Sequence, residues 1–155
     1  MGRARPTGGG LMAAGLRRRL RLILSLGDFV MLALFVYIGQ RDHDLVDPAN
    51  PLWGVLQSTL VFAAPWALAG AWLGAFPAAA DFAPRAFLSR SLNAWLVTAL
   101  LGLLLRSAVL GRAVLPTVFV WATLGFGGLF VLGWRLLVVG AWHWTGRRPA
   151  PARGA

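Results

Sequence analysis

Eighteen consecutive residues, Leu22 to Gly39, carry a single charge, Asp28. At ~1.5 Å per residue, a helix of that length reaches about 27 Å, close to the ~30 Å hydrocarbon thickness of a bilayer. Three more apolar runs follow. The second extends from Leu52 to Phe76 and holds Pro65 near its middle. The third extends from Leu92 to Leu110 with Arg106 toward its end. The fourth extends from Leu115 to Trp142 and is interrupted only by Arg135. Backbone placed in lipid must satisfy its own hydrogen bonds, so these runs read as helices, and the alternation a membrane β-barrel needs is absent. The expected fold is all-α: an integral membrane four-helix bundle with spans at about 22–39, 52–76, 92–110 and 115–142.

Composition excludes the other classes. Apolar residues make up 58% and charged residues 13%, against about 45–50% and about 25% in a soluble domain. A disordered basic tail is excluded by the same apolar content. With no cysteine there is no disulfide framework and no thiolate site. The net charge of +10 comes from 15 arginines, no lysine and five aspartates. That arginine-only usage, beside abundant Ala, Gly and Pro, looks like GC-rich coding and points to a high-GC bacterium.

Arginine placement sets the expected topology. Arg3, Arg5, Arg17, Arg18, Arg19 and Arg21 precede the first span, Arg85 and Arg90 lie in the second loop with Asp81, and Arg147, Arg148 and Arg153 lie in the tail. The opposite side receives only Arg41, set against Asp42, Asp44 and Asp47, and Arg112. The positive-inside rule then puts both termini in the cytoplasm. Residues 1–21 are expected to form a basic, disordered cytoplasmic segment and 143–155 a cytoplasmic tail. Arg17-Arg18-Arg19 superficially resembles a signal, but no A-x-A-like site follows and Asp28 interrupts the apolar stretch, so the first span is read as uncleaved. Tyr37 and Trp53 at the outer boundary, and Trp95, Trp142 and Trp144 at the inner one, fit an aromatic belt.

Charges inside spans are costly and default to a functional hypothesis with a named partner. Asp28 lies about 9 Å into its helix, and Arg135 lies about 7.5–10 Å from the same side on a helix of opposite direction. They are expected to form an intramembrane charge pair between the first and fourth spans. The simpler reading is that the pair only fixes helix register, or that Arg135 snorkels to the headgroups. Arg106 shares a face with Ala94, Thr98 and Gly102. Together with Arg41 and His43 of the first loop it is a candidate anion or loop contact, facing Asp42, Asp44, Asp47 or a ligand from outside. The simpler reading is an interfacial arginine. His43 with three aspartates is a weak divalent-metal signal without a second histidine, so a solvated loop and no metal site are expected.

Small residues favour close helix packing. Gly70 and Gly74, Gly102, Gly128 and Gly133 are the candidate packing glycines, with the stripe Ala63, Ala67, Ala71 and Ala75 beside the first two. Pro65 is expected to kink the second span. The segment from Asp81 to Arg90, with Phe82 and Phe87, is expected to lie along the inner surface and favour anionic lipid.

The order Asp28, Gly39-x-Arg41-x-His43, Pro65-Trp66, Leu105-Arg106 and Gly133-Trp134-Arg135 resembles domain-of-unknown-function family 3054, small bacterial membrane proteins, over about residues 25–137. Family members usually carry Phe after that proline, where this chain has Trp66. The resemblance implies four spans and a bacterial inner membrane, and implies no activity.

No Gly-x-Ser-x-Gly elbow, Walker loop, HExxH or pair of carboxylates on one helix is present, so neither an enzyme nor a cofactor is expected. No nucleic-acid module is visible. Two classes remain. One is a structural or accessory membrane protein that binds lipid, chiefly anionic headgroups at the cytoplasmic face, or partner helices. The other is a small oligomeric transporter or channel-like carrier using Asp28, Arg135 and Arg106, which requires a homo-oligomer because four helices leave little room for a pathway.

Overall fold

The structure is a computed structural model that describes residues 8–42, 49–76, 83–109, 111 and 116–146. Helix α1 spans Gly8–Asp42, α2 Pro51–Trp72 and α3 Pro84–Val109. The fourth long helix is composite: α4, Thr117–Ala122, passes through a π turn at Thr123–Gly127 into α5, Gly128–Gly146. Four helical stretches, Arg18–Asp42, Pro51–Trp72, Pro84–Val109 and Thr117–Trp144, are long and apolar enough to cross a membrane, and no strand occurs among the described residues.

Each helix boundary has a local cause. α1 starts at Gly8, not at Leu22: residues 11–14 and 16–21 are good helix formers, no proline lies between Pro6 and the apolar run, and the helix continues back through Gly15 to the glycines at 8–10. Residues 8–21, expected to be disordered, therefore belong to the first helix, whose span-like stretch begins at Arg18. Pro51 stands at the start of α2, where its missing N–H costs nothing. α2 ends at Trp72, four residues before the expected Phe76. There Gly74 turns left-handed, with φ +67°. The Ala75 N–H bonds Gly70 O at 2.8 Å and the Gly74 N–H bonds Ala71 O at 3.4 Å, the paired bonds of a Schellman stop. α3 begins at Pro84, so residues 84–90 form its first turns and do not lie flat along a surface.

The helices alternate in direction and close a ring in which α1 packs on α2, α2 on α3, α3 on α5 and α5 on α1. One end gathers Leu20, Leu24, Phe87 and Val139 in an apolar cluster. A larger cluster, including Leu32, Val36, Phe62, Trp66, Trp95 and Val131, fills the middle and the other end. The α1 contribution repeats every four residues, Leu20, Leu24, Asp28, Leu32 and Val36, all buried. On α5 the same step runs Val131, Arg135, Val139. The i, i+4 rule thus puts both charges on the inward stripes, one turn from apolar neighbours on either side.

Close packing falls on only some of the small residues expected. The Phe62 ring occupies the space a Cβ on Gly102 would need, and Trp95 does the same at Gly127 and Gly128. Gly102 and Gly128 thus each lie against a large ring from another helix. Gly70 is covered by Phe76, at 2.7 Å from where its Cβ would stand, so it receives its own chain's return and not another helix. Gly74 is the helix stop, and Gly133 has no heavy atom within 4 Å of a built Cβ. Gly74 faces the Arg90 side chain of α3 at ordinary contact distance, and Gly133 brings no second helix close. Ala67 and Ala71 of the alanine stripe are exposed, and Ala75 lies beyond the helix end. Trp95, expected in an interfacial belt, is 1% exposed in the bundle core.

Candidate functional site

Asp28 and Arg135 meet in the core, each 0% exposed. The contact is two-pronged: Arg135 Nε donates to Asp28 Oδ1 at 3.0 Å, and Nη2 donates to Oδ2 at 2.6 Å. This fork-on-fork geometry is the strong form of the guanidinium–carboxylate bond. Arg135 Nη1 donates twice more, to Ala75 O at 2.7 Å and to Ser91 Oγ at 2.8 Å. Ser91 in turn donates to Phe87 O at 2.8 Å. Asp28 Oδ2 also accepts Trp66 Nε1–H at 3.0 Å. Three rings enclose the guanidinium, with centroids at 4.7 Å for Trp66, 5.2 Å for Phe76 and 5.2 Å for Phe87. The site therefore draws on all four long helices and on the return of the chain after α2.

The surroundings explain how two charges persist without water. A buried ion pair survives only if its geometry is good and further hydrogen bonds satisfy the remaining donors and acceptors. Here four of the five Arg135 N–H groups have oxygen partners at 3.0 Å or less. The aromatic faces supply negative quadrupole to a weakly hydrated cation. Ala75 O is available because the Schellman stop turns its backbone inward, so the helix end and the arginine complete one another. α1 and α5 approach closely beside the pair: the Trp134 indole lies over Gly27, where any Cβ would collide. Gly27 precedes Asp28 and Trp134 precedes Arg135, so this glycine sets the spacing at which the pair closes.

The other sequence candidates lie elsewhere. Arg106 is near the far end of α3, its guanidinium 4.9 Å from the Phe119 ring centroid. The face it shares with Ala94, Thr98 and Gly102 does turn inward, and those three are buried. Arg41 is exposed in the last turn of α1, beside a shallow hollow with Tyr37, Ile38 and Asp42. His43, Asp44, Asp47, Asp81, Phe82 and Arg112 fall outside the described residues. No group of three or more potential metal ligands occurs among the described residues.

Trp66, Ser91, Phe76, Phe87 and the Ala75 carbonyl were not singled out by the sequence as partners of the pair. Two of them had a legible signal. Phe87 and Ser91 are four apart on α3, in line with the inward face. Trp66 sits in the Pro65-Trp66 step. The Ala75 carbonyl had none, because it depends on where α2 stops. The π turn was also unanticipated; Trp95 Nε1 donates to Leu124 O within it at 3.1 Å.

No curated protein and no solved structure matches the chain. A family model matches residues 25–138, a stretch that includes Asp28, Trp66, Ser91 and Arg135. The chain belongs to the family described as "Protein of unknown function (DUF3054)".

Proposed function

We propose that this chain is a structural or accessory protein of the bacterial plasma membrane, with four spans and both termini cytoplasmic, that binds lipid or partner helices and carries no substrate through its core. The single observation that carries the reading is the closed Asp28–Arg135 layer: both residues are 0% exposed and their hydrogen bonds are directed inward. A carrier needs a charged group that can exchange partners with its cargo. Here the carboxylate is held by two N–H groups of Arg135 and by Trp66.

Further observations support the membrane setting. Large apolar side chains lie exposed on every long helix, including Leu26 at 66%, Leu68 at 72%, Leu104 at 64% and Leu137 at 70%. Soluble monomers rarely expose contiguous apolar patches beyond a few hundred Å². Arg18, Arg19, Arg21, Arg85 and Arg90 are exposed toward the end of the bundle that holds Phe87. That charge favours the cytoplasmic leaflet, where anionic headgroups attract arginine by ~1 kcal/mol per residue.

The test is a gradient held across proteoliposomes. Vesicles containing the protein should keep an imposed pH gradient as long as empty vesicles do. A leak that disappears in the Asp28→Leu/Arg135→Met double variant would favour the carrier reading instead.

A further inference from the structure

At the arginine-rich end of the bundle an open groove of about 470 Å³ lies between α1 and α5. Arg19 and Ile23 line it from α1, and Trp134, Leu137, Val138 and Trp142 line it from α5. We propose that this groove seats one anionic glycerophospholipid, its phosphate on Arg19 and an acyl chain along α5. The inference rests on the membrane reading above and names the lipid class and its seat.

The groove is an apolar trough with a cationic mouth. Its α5 lining falls three, four and eight residues after Trp134, along one face of the helix. Eight residues rise by about 12 Å, against the ~15 Å of hydrocarbon in one leaflet. Because α1 and α5 run in opposite directions, Arg19 falls at the Trp142 end and Ile23 lies one turn farther in. One end of the groove therefore carries charge and the other is apolar, which is the polarity of a phospholipid. Ile23 is 52% exposed and Leu137 70%, so the trough opens outward and not toward the ion pair. Trp134 is held in place because its indole lies over Gly27.

Charge complementarity selects the occupant. Arg19 is exposed, and no hydrogen bond or ion pair engages its side chain among the described residues. The two carboxylates among those residues lie elsewhere: Asp28 is held by Arg135, and Asp42 closes the opposite end of α1. A guanidinium presents a planar fork that takes two phosphate oxygens at once. Arg18 is exposed beside it and adds to the positive field, which repels the ammonium of a choline headgroup. An apolar partner helix fits the mouth poorly, because docking it would bury an unpaired cation.

The experiment uses the full chain in detergent micelles, with lipid binding read by native mass spectrometry. Phosphatidylglycerol, phosphatidylcholine and glycerol phosphate are the probes. One equivalent of phosphatidylglycerol should bind at least about tenfold tighter than phosphatidylcholine, since two-pronged bonds between charged groups are worth at least that much. Glycerol phosphate, a headgroup without chains, should not compete. Arg19→Gln should bring phosphatidylglycerol down to the level of phosphatidylcholine. Arg85→Gln removes the same charge from α3 and should keep phosphatidylglycerol the preferred lipid. Leu137→Trp fills the trough from an exposed position and should remove the tight equivalent while the helical circular dichroism stays unchanged. Equal binding of the two lipids overturns the proposal. Equal losses in Arg19→Gln and Arg85→Gln make the preference a diffuse charge effect and overturn it as well. Competition by glycerol phosphate reduces the seat to a phosphate site without a chain, and unchanged binding in Leu137→Trp puts the chain outside the groove; either result overturns it. A dimer that Leu137→Trp abolishes makes a second copy the occupant and overturns it too. If Leu137→Trp does not fold, the contrast between Arg19→Gln and Arg85→Gln decides alone. Phosphatidylcholine nanodiscs keep the two readings apart. Retention of the chain there without a phosphatidylglycerol preference overturns the seat alone, whereas failure to enter nanodiscs overturns the membrane reading with it.

Discussion

A carboxylate and a guanidinium sealed from water persist only when each is more stable with its partner than either is alone. Removing one partner leaves the other as an uncompensated buried charge, at a cost of about 3–5 kcal/mol. Asp28→Asn and Arg135→Gln should each lower stability by about that amount in detergent-unfolding titrations. Because the pair is shielded from solvent, this loss should be nearly independent of added salt. Trp66→Phe removes one hydrogen bond to a charged acceptor while keeping an aromatic face, so its cost should be smaller, about 1.5–3 kcal/mol in the same titration. At this scale the sequence was informative about the two charges, since a lone aspartate and a lone arginine at matching depth demand one another. It was silent about the Ala75 carbonyl, which joins the site only because the chain turns left-handed at Gly74.

Among the elements, the long apolar runs were legible and their ends were not. Hydropathy marks where a helix can sit in lipid, whereas capping, proline and left-handed glycine decide where it stops. That is why α2 loses four residues at Gly74 and why α3 gains its first turns from Pro84. Glycine spacing was an uneven guide for a similar reason. A small residue permits close approach, but a large side chain must arrive to use it, as Phe62 does at Gly102 and nothing does at Gly133. Gly102→Val should therefore destabilise by about 1–3 kcal/mol, the usual range for overpacking, while Gly133→Ala should be neutral or stabilising. Thermal unfolding of the two variants side by side checks this. The π turn makes a sharper demand. An extra residue there sets the rotation of α5 relative to α4, so deleting Gly125 should turn one part against the other by about 100°. Arg135 would then miss Asp28, or Phe119 would miss Arg106. The deletion should abolish the folded state, whereas Gly125→Ala, with no neighbour within 4 Å, should not.

For the molecule as a whole, orientation and interior are separately testable. The chain contains no cysteine, so single cysteines report position cleanly. Asn50→Cys should react with an impermeant maleimide in intact cells, and Ala83→Cys only after the membrane is opened; the reverse pattern contradicts cytoplasmic termini. Four helices long and apolar enough to span a membrane, and their approximate places, could be read from hydropathy, a property of composition, and arginine bias supplies the expected orientation that these cysteines test. The layered interior could not be read so directly, because it depends on which of several faces of each helix turn inward. One trace was present: Leu20, Leu24, Asp28, Leu32 and Val36 fall every four residues, and the charge lies in line with the buried apolar positions. The most direct measurement is a double-mutant cycle on Asp28→Asn and Arg135→Gln, read as unfolding free energy in detergent. The pair acting as a closed structural link predicts that each single variant loses about 3–5 kcal/mol and that the double variant loses no more than either. Losses that simply add, or single variants as stable as the unaltered chain, would contradict it.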